Sequence, residues 1–221
     1  MRRIVKTSIL AAIAPLALAA CGSGAKTPTT TTATACVRVR EPALKPLLRL
    51  SKPKRELTPG LAWKAIVQTN CGTFTIALDT ADSPKTTSSF ASLARHGFYD
   101  RLTFHRIAAG FVIQGGDPLG SGRGGPGYTI REAPPKTTRY THGVVAMAKL
   151  ATDEDGTSGS QFFIVTGPDA QLPPQYALLG RVTSGIDVVD RIDGLPLKST
   201  DPQGSEPVNP VVIEHVEITD Q

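Results

Sequence analysis

The chain has 221 residues, 40% of them hydrophobic, and a net charge of +5, which suits one domain of ordinary size beside some unpacked chain. The positive balance is lopsided: Lys26, Arg38, Arg40, Lys45, Arg49, Lys52, Lys54 and Arg55 face only Glu41 and Glu56, while from Leu61 onward acids outnumber bases. No aromatics interleave those cations, which argues against a nucleic-acid partner and for a stalk beside an anionic membrane surface, where each cation contributes on the order of 1 kcal/mol.

Arg2, Arg3 and Lys6 precede an apolar run from Ile9 to Ala20 that ends at Cys21, the pattern of a secretory signal peptide. The run falls short of the roughly 20 apolar residues a bilayer span needs. Leu18-Ala19-Ala20-Cys21 resembles a bacterial lipobox, which makes Cys21 the candidate lipidation site; the alternative is an ordinary signal peptide with a chance cysteine. Residues 22–35 are small and polar, with threonines from Thr29 to Thr32, and cannot bury enough apolar area to order themselves. Residues 36–60 carry Pro42, Pro46, Pro53 and Pro59, which discourage long helices. With Cys21 lipidated, Cys36 and Cys71 remain as an even pair that export would oxidise to a disulfide; the bridge is the expectation, two free thiols the alternative.

From about Leu61 a single domain is expected. Trp63–Thr69 and Thr73–Leu78 read as strands around an Asn70-Cys71-Gly72 turn, with Phe74, Ile76 and Leu78 alternating onto one buried face. Ser83-Pro84 opens a helix, with Ser83 as N-cap candidate, Phe90, Leu93 and Ala94 as its apolar stripe and Gly97 as its stop. Short strands follow at Leu102–Ile107, Val112–Gln114, Val144–Met147 and Phe162–Val165. A second helix is expected over Ile186–Ile192, and Val211–Thr219 closes the chain as a strand. Many short strands with Gly-rich connections and two helices suit a closed antiparallel barrel capped by helices.

Two stretches carry most of the chemical information: Phe104-His105-Arg106-Ile107-Ala108-Ala109-Gly110-Phe111-Val112-Ile113-Gln114-Gly115-Gly116-Asp117, and Gly159-Ser160-Gln161-Phe162-Phe163. A core strand has no need of Arg106 or Gln114, because buried guanidinium and carboxamide groups cost stability unless hydrogen-bonded. Together these stretches resemble the cyclophilin-type peptidyl-prolyl cis-trans isomerases. The resemblance implies a mainly β fold, a barrel of about eight strands with a helix over each end, and catalysis of rotation about X-Pro bonds. It implies Arg106 as the catalytic arginine and Gln114 as the amide that orients it. Phe111, Val112, Phe163 and Leu172 would form the proline pocket, Gln161 would contact substrate backbone, and Ala148 would floor the groove. Tyr176 stands where the familiar eukaryotic form has a pocket histidine, Gln171 where it has a tryptophan before the pocket leucine, and Lys149 where it has an asparagine. The missing tryptophan implies weak binding of cyclosporin.

X-Pro rotation must break amide resonance across a barrier of about 18–20 kcal/mol, and no metal or cofactor is needed to lower it. A donor aimed where the lone pair localises suffices, and Arg106 is such a donor, planar and permanently charged. His105 is given no catalytic role, since the rotation transfers no proton. Gly120-Ser121-Gly122-Arg123-Gly124-Gly125 matches the dinucleotide pattern G-x-G-x-x-G, but Pro126-Gly127 follows where a helix should open, so it reads as a loop. Ser158 lacks the closing glycine of a nucleophile elbow. The expected organisation is a signal peptide over 1–20, a lipid-anchored tether and stalk over 21–60, and a monomeric isomerase domain over 61–221. That domain would act on exported, proline-containing polypeptides at the outer face of the bacterial membrane.

Overall fold

A computed structural model describes residues 35–46, 50–54 and 56–220; the signal-peptide residues, Cys21 and most of the tether lie outside the described residues. Trp63–Thr69 (β1) turns through Asn70-Cys71 into Gly72–Leu78 (β2), pairing from Lys64↔Ala77 to Thr69↔Gly72. Helix α1 spans Pro84–Arg95. Arg106–Ala108 (β3), Val112–Gly115 (β4), Ile130–Arg131 (β5), Val144–Met147 (β6), Thr157–Ser158 (β7), Phe162–Val165 (β8) and Leu178–Ser184 (β9) follow, then helix α2 (Ile186–Asp193) and Ile213–Asp220 (β10). Eight strands form one antiparallel sheet in the order β10-β1-β2-β9-β6-β8-β4-β3, while β5 and β7 pair separately.

The sheet curls but does not close, which corrects the closed barrel expected from the sequence. β3 is three residues long, and Ser205 occupies its outer edge through Ile107 N–H to Ser205 O (2.8 Å) and Ser205 N–H to Ile107 O (3.0 Å). β10 therefore has no ladder to join there. Among the described residues, the two ends of the sheet are linked by the isolated bridge Thr103↔Val212 and neighbouring backbone hydrogen bonds such as Phe104 N–H to Val211 O, 2.9 Å, rather than by a ladder.

β9 has no clear strand pattern in the sequence because Gly180, Arg181 and Ser184 interrupt its apolar alternation, yet it lies mid-sheet between β2 and β6. Gly180 is required there: a Cβ would lie 2.0 Å from the Ala77 carbonyl oxygen, at φ +155°. Helix α1 carries Pro84 in its first turn as expected, but Ser83 makes no side-chain cap. The Glu132 carboxylate accepts from the backbone N–H groups of Lys85 (3.1 Å) and Thr86 (2.7 Å) instead, placing negative charge where the helix leaves donors unpaired.

Two apolar clusters form, one on each face of the sheet. Ile107, Ile113, Val145, Phe162 and Ile164 point into the main core with Phe74, Phe90, Leu93, Tyr99 and Phe104. Phe90 is fully buried, stacked on Tyr99 at 4.7 Å and edge-on to Phe162 at 5.8 Å; truncating such a ring costs about 3–5 kcal/mol. Ala108, Val112, Val144, Ala146, Phe163 and Val165 pack on the opposite face with Tyr140. Burial on both faces explains why Val144–Met147 and Phe162–Val165 are unbroken apolar runs.

The described part of residues 35–58 lies along the domain. A Cys36–Cys71 disulfide joins it to the β1–β2 turn, with the Cα atoms 3.9 Å apart. Beside it Val37 N–H bonds to Asn70 O (2.8 Å) and the Asn70 amide donates to Val37 O (2.7 Å). Lys45 Nζ donates to the carbonyls of Gly97 (2.8 Å) and Phe98 (3.1 Å), just beyond the end of α1. Leu57 is buried in the main core.

Candidate active site

The hairpin β3–β4 sets Arg106 directly opposite Gln114, and the register continues Gln114↔Phe163, Phe163↔Ala146 and Ala146↔Leu178. Residues in such a row share one face of the sheet, and the row crosses five strands on the face opposite the main core. Two positions along, Ala108↔Val112 and Val112↔Val165 line the same face. A polar end, Arg106 and Gln114, thus grades into an apolar floor.

The polar end is fully connected. Arg106 Nη1 donates to Gln114 Oε1 (3.1 Å), Gln114 Nε2 donates to Gln161 Oε1 (2.9 Å), and Gln161 Nε2 donates to the Gly124 carbonyl (2.9 Å). Arg106 Nε donates to the Gln203 carbonyl, while Nη2 has no hydrogen-bond partner among the described residues. Every amide orientation follows from its neighbour, so the guanidinium is held from both sides with one nitrogen to spare. Burial draws its pKa down, opposed by the Asp201 carboxylate, and it stays a cation at any physiological pH. Ser160, buried before β8, donates to Gly116 O (2.7 Å) and accepts from Tyr99 OH at its own carbonyl (3.2 Å), fixing the turn that aims Gln161.

The apolar end is walled by aromatics. Phe163 meets Tyr176 edge-on at 5.4 Å, and Tyr140 meets Tyr176 edge-on at 5.9 Å. Phe111, Ala148, Leu172 and Tyr176 are half-buried against this cluster, and Val112 and Phe163 are buried within it. Phe111 sits on the β3–β4 turn, which Asp193 of α2 clamps by accepting from Gly110 N–H (2.9 Å) and Thr166 Oγ1 (2.8 Å). Gln161, Gln114 and Ala148 border an open groove of about 980 Å³ that runs on past Gly124, Tyr128 and Lys149.

The residues that the resemblance marks as catalytic or substrate-binding, Arg106, Gln114, Phe111, Val112, Ala148, Gln161, Phe163, Leu172 and Tyr176, therefore meet on one face, whereas Cys36 and Cys71 lie apart at the β1–β2 turn and Cys21 lies outside the described residues. Lys149 is not free in the groove: its Nζ donates to the Asp153 (3.0 Å) and Leu150 (3.3 Å) carbonyls and lies 5.7 Å from the Tyr176 ring centroid. Gln171 is exposed at φ +53°, its backbone N–H donated to Asp169 Oδ1 (2.8 Å). Tyr140 was missed by sequence reasoning. Fully buried, it donates its hydroxyl hydrogen to Tyr176 O (2.6 Å) and accepts from Tyr176 N–H (3.0 Å). Its polar neighbours, Arg139 and Thr141, hide it from any apolar pattern. The Gln203 and Gly124 carbonyls were equally invisible, since a backbone acceptor has no residue code.

The model of the "cyclophilin type peptidyl-prolyl cis-trans isomerase" family matches residues 64–218. The chain belongs to this family. It is 40% identical over 150 residues to peptidyl-prolyl cis-trans isomerase-like 1 of Neurospora crassa, covering 66% of this chain and 90% of that protein. Against peptidyl-prolyl cis-trans isomerase B of Bacillus subtilis it is 48% identical over 108 residues, 48% of this chain and 72% of that one. A crystal structure of a Cryptosporidium parvum cyclophilin, determined in the presence of the dipeptide Ala-Pro, superposes with a TM-score of 0.63 at 29% identity, covering 72% of this chain and 99% of that one. The enzyme is thus a peptidyl-prolyl cis-trans isomerase of cyclophilin type, and the matched span contains the whole row from Arg106 to Tyr176. The basic residues 35–58 precede the matched span.

Proposed function

We propose that Arg106 is the catalytic donor of this cyclophilin and that Phe111, Val112, Phe163, Leu172 and Tyr176 hold the proline ring beside it. The observation that carries this reading is the guanidinium fixed by Gln114 and the Gln203 carbonyl at the edge of an aromatic pocket, with Nη2 left over. As the X-Pro amide twists, its nitrogen gains lone-pair density that the planar amide lacks. A donor fixed at that point stabilises the twisted state selectively, and each 1.4 kcal/mol so gained is about tenfold in rate. Gln161, at the mouth of the groove, contacts the substrate backbone, and Ala148 floors the groove. The rotation breaks no covalent bond and moves no proton, so the residues named suffice.

The natural substrates in this reading are exported polypeptides with X-Pro bonds that limit folding outside the cytoplasm. The leader up to Ala20 and the lipobox-like Leu18-Ala19-Ala20-Cys21 support export and lipid anchoring at Cys21, and the basic residues that follow suit the anionic outer face of a bacterial membrane. Among the described residues no helix is long and apolar enough to cross a membrane. The protein acts as a monomer, with no nucleic-acid partner. Two measurements test the reading. Titration with an Ala-Pro peptide should perturb the NMR signals of Phe111, Phe163, Leu172 and Tyr176 first, and perturbation confined to another face would refute the pocket. Intact-mass analysis of protein from bacterial membranes should find an acylated N-terminal Cys21; a mature chain with free Cys21, or with the leader intact, would refute the anchor.

A further inference from the structure

The loop from Asp117 to Pro126 supplies the Gly124 carbonyl that ends the Arg106–Gln114–Gln161 chain. Its inner side is well held: the buried Asp117 carboxylate accepts from Leu119 N–H (2.8 Å) and from Gly122 N–H. Its outer side is met by the basic segment that precedes the family's span. Leu44, though largely exposed, flanks Gly120 and lines a small cavity with it, Asp117 and Pro118. Leu50 donates its backbone N–H to the Pro126 carbonyl at 2.9 Å. The same segment is anchored away from the site by the Cys36–Cys71 disulfide and by Lys45 on the Gly97 and Phe98 carbonyls. With Leu44 beside Gly120 and Leu50 bonded to Pro126, the described residues of this segment flank the loop on either side of Gly124 and limit how far that carbonyl can drift.

We propose that the segment around Leu44 and Leu50, pinned by Cys36–Cys71, is a positioning strap that holds the 117–126 loop and through it the Gln161–Gln114–Arg106 chain. The inference rests on the assignment of Arg106 as donor. Leu44 and Leu50 touch no substrate in this account. They act on the polar chain rather than on the proline pocket, so breaking the disulfide slows turnover while changing peptide binding little, only through Gln161.

The test uses the full chain, purified with the disulfide formed, and compares it with Cys36→Ser and with Leu50→Pro, which removes the N–H donor to Pro126 together with the Leu50 side chain packed against the main core. Displacing a positioned group by about 1 Å can cost on the order of a hundredfold, so a loosened support should cost about tenfold. Cys36→Ser is expected to lower kcat about tenfold with KM within about twofold, and to speed hydrogen exchange at the Leu119 and Gly122 amides. Leu50→Pro should do the same more weakly with the bridge intact. Added to Arg106→Ala, Cys36→Ser should cost nothing further. Wild-type kcat together with wild-type exchange at Leu119 and Gly122 in both variants would overturn the strap, as would a rise in KM alone. If Cys36→Ser does not fold, Leu50→Pro decides by the same two readings. Full activity in Arg106→Ala would instead refute the donor assignment, and the exchange rates would still decide whether the strap holds the loop.

Discussion

Replacing Tyr140 by Phe separates the pocket wall from the polar end of the site. The ring is fully buried and its packing against Phe163 and Tyr176 survives the change. What is lost is one hydroxyl that closes a two-way link to Tyr176, donating at 2.6 Å and accepting at 3.0 Å. Two hydrogen bonds at about 0.5–1.5 kcal/mol each set a range of about 1–3 kcal/mol. Tyr176 is half-buried, so water can re-pair part of its backbone and the loss should fall at about 1–2 kcal/mol. For a domain of this size that lowers Tm by roughly 2–8 °C. Burial also pushes the Tyr140 hydroxyl up to about 12 from 10.0. A raised folded pKa means stability present below pH 10 and lost as pH rises through 12, so Tyr140→Phe should lose less stability across that window than the wild type. In isomerase assays KM should rise severalfold with kcat nearly unchanged, because Tyr176 loosens while Arg106 does not. An unchanged Tm would show that the hydroxyl link contributes nothing. A fall in kcat at constant KM would show that Tyr140 acts on the donor rather than on the pocket wall.

Three further perturbations have defined outcomes. Glu132→Ala removes the acceptor for Lys85 and Thr86 N–H at the start of α1 and should cost about 1–2 kcal/mol in urea unfolding; no change would mean water caps the helix equally well. His105 is buried, with neither ring nitrogen hydrogen-bonded among the described residues, and burial holds its pKa below the usual 6.5, partly opposed by Asp117. Its contribution is therefore present above pH 6.5 and lost as pH falls through its lowered folded value, and His105→Phe should flatten that part of the stability profile; an unaltered slope would contradict this. Cyclosporin should bind the wild type weakly, about 2–3 kcal/mol below a family member with the indole. Gln171→Trp should recover part of the loss by restoring the indole. Nanomolar binding by the wild type would refute this account of Gln171.

What the sequence made legible was whatever side-chain pattern alone encodes. Alternation in Phe74, Ile76 and Leu78 located β2, and the unbroken apolar runs at 144–147 and 162–165 located β6 and β8 to the residue. Arg106 and Gln114 stood out because strand cores do not tolerate them without partners, and they prove to be each other's partners. Elements that depend on distant neighbours were not legible. β9 exists because Ala77 presses against Gly180, α1 is capped by Glu132 from 46 residues away, and β3 is sealed by Ser205 so that the sheet stays open. The packing of the described part of residues 35–58 depends on backbone acceptors at Asn70, Gly97, Phe98 and Pro126, which no local pattern announces.

The central claim is that a single fixed guanidinium lowers the rotational barrier. Exchange NMR on a peptide with one Ala-Pro bond measures it directly, since catalysed cis-trans rates and peptide binding come from the same sample. With the full chain, Arg106→Ala should retain the wild-type fold and bind the peptide, yet exchange it about tenfold to a hundredfold more slowly, or roughly 1.4–2.7 kcal/mol of barrier. A folded Arg106→Ala protein that catalyses exchange at the wild-type rate would contradict the account.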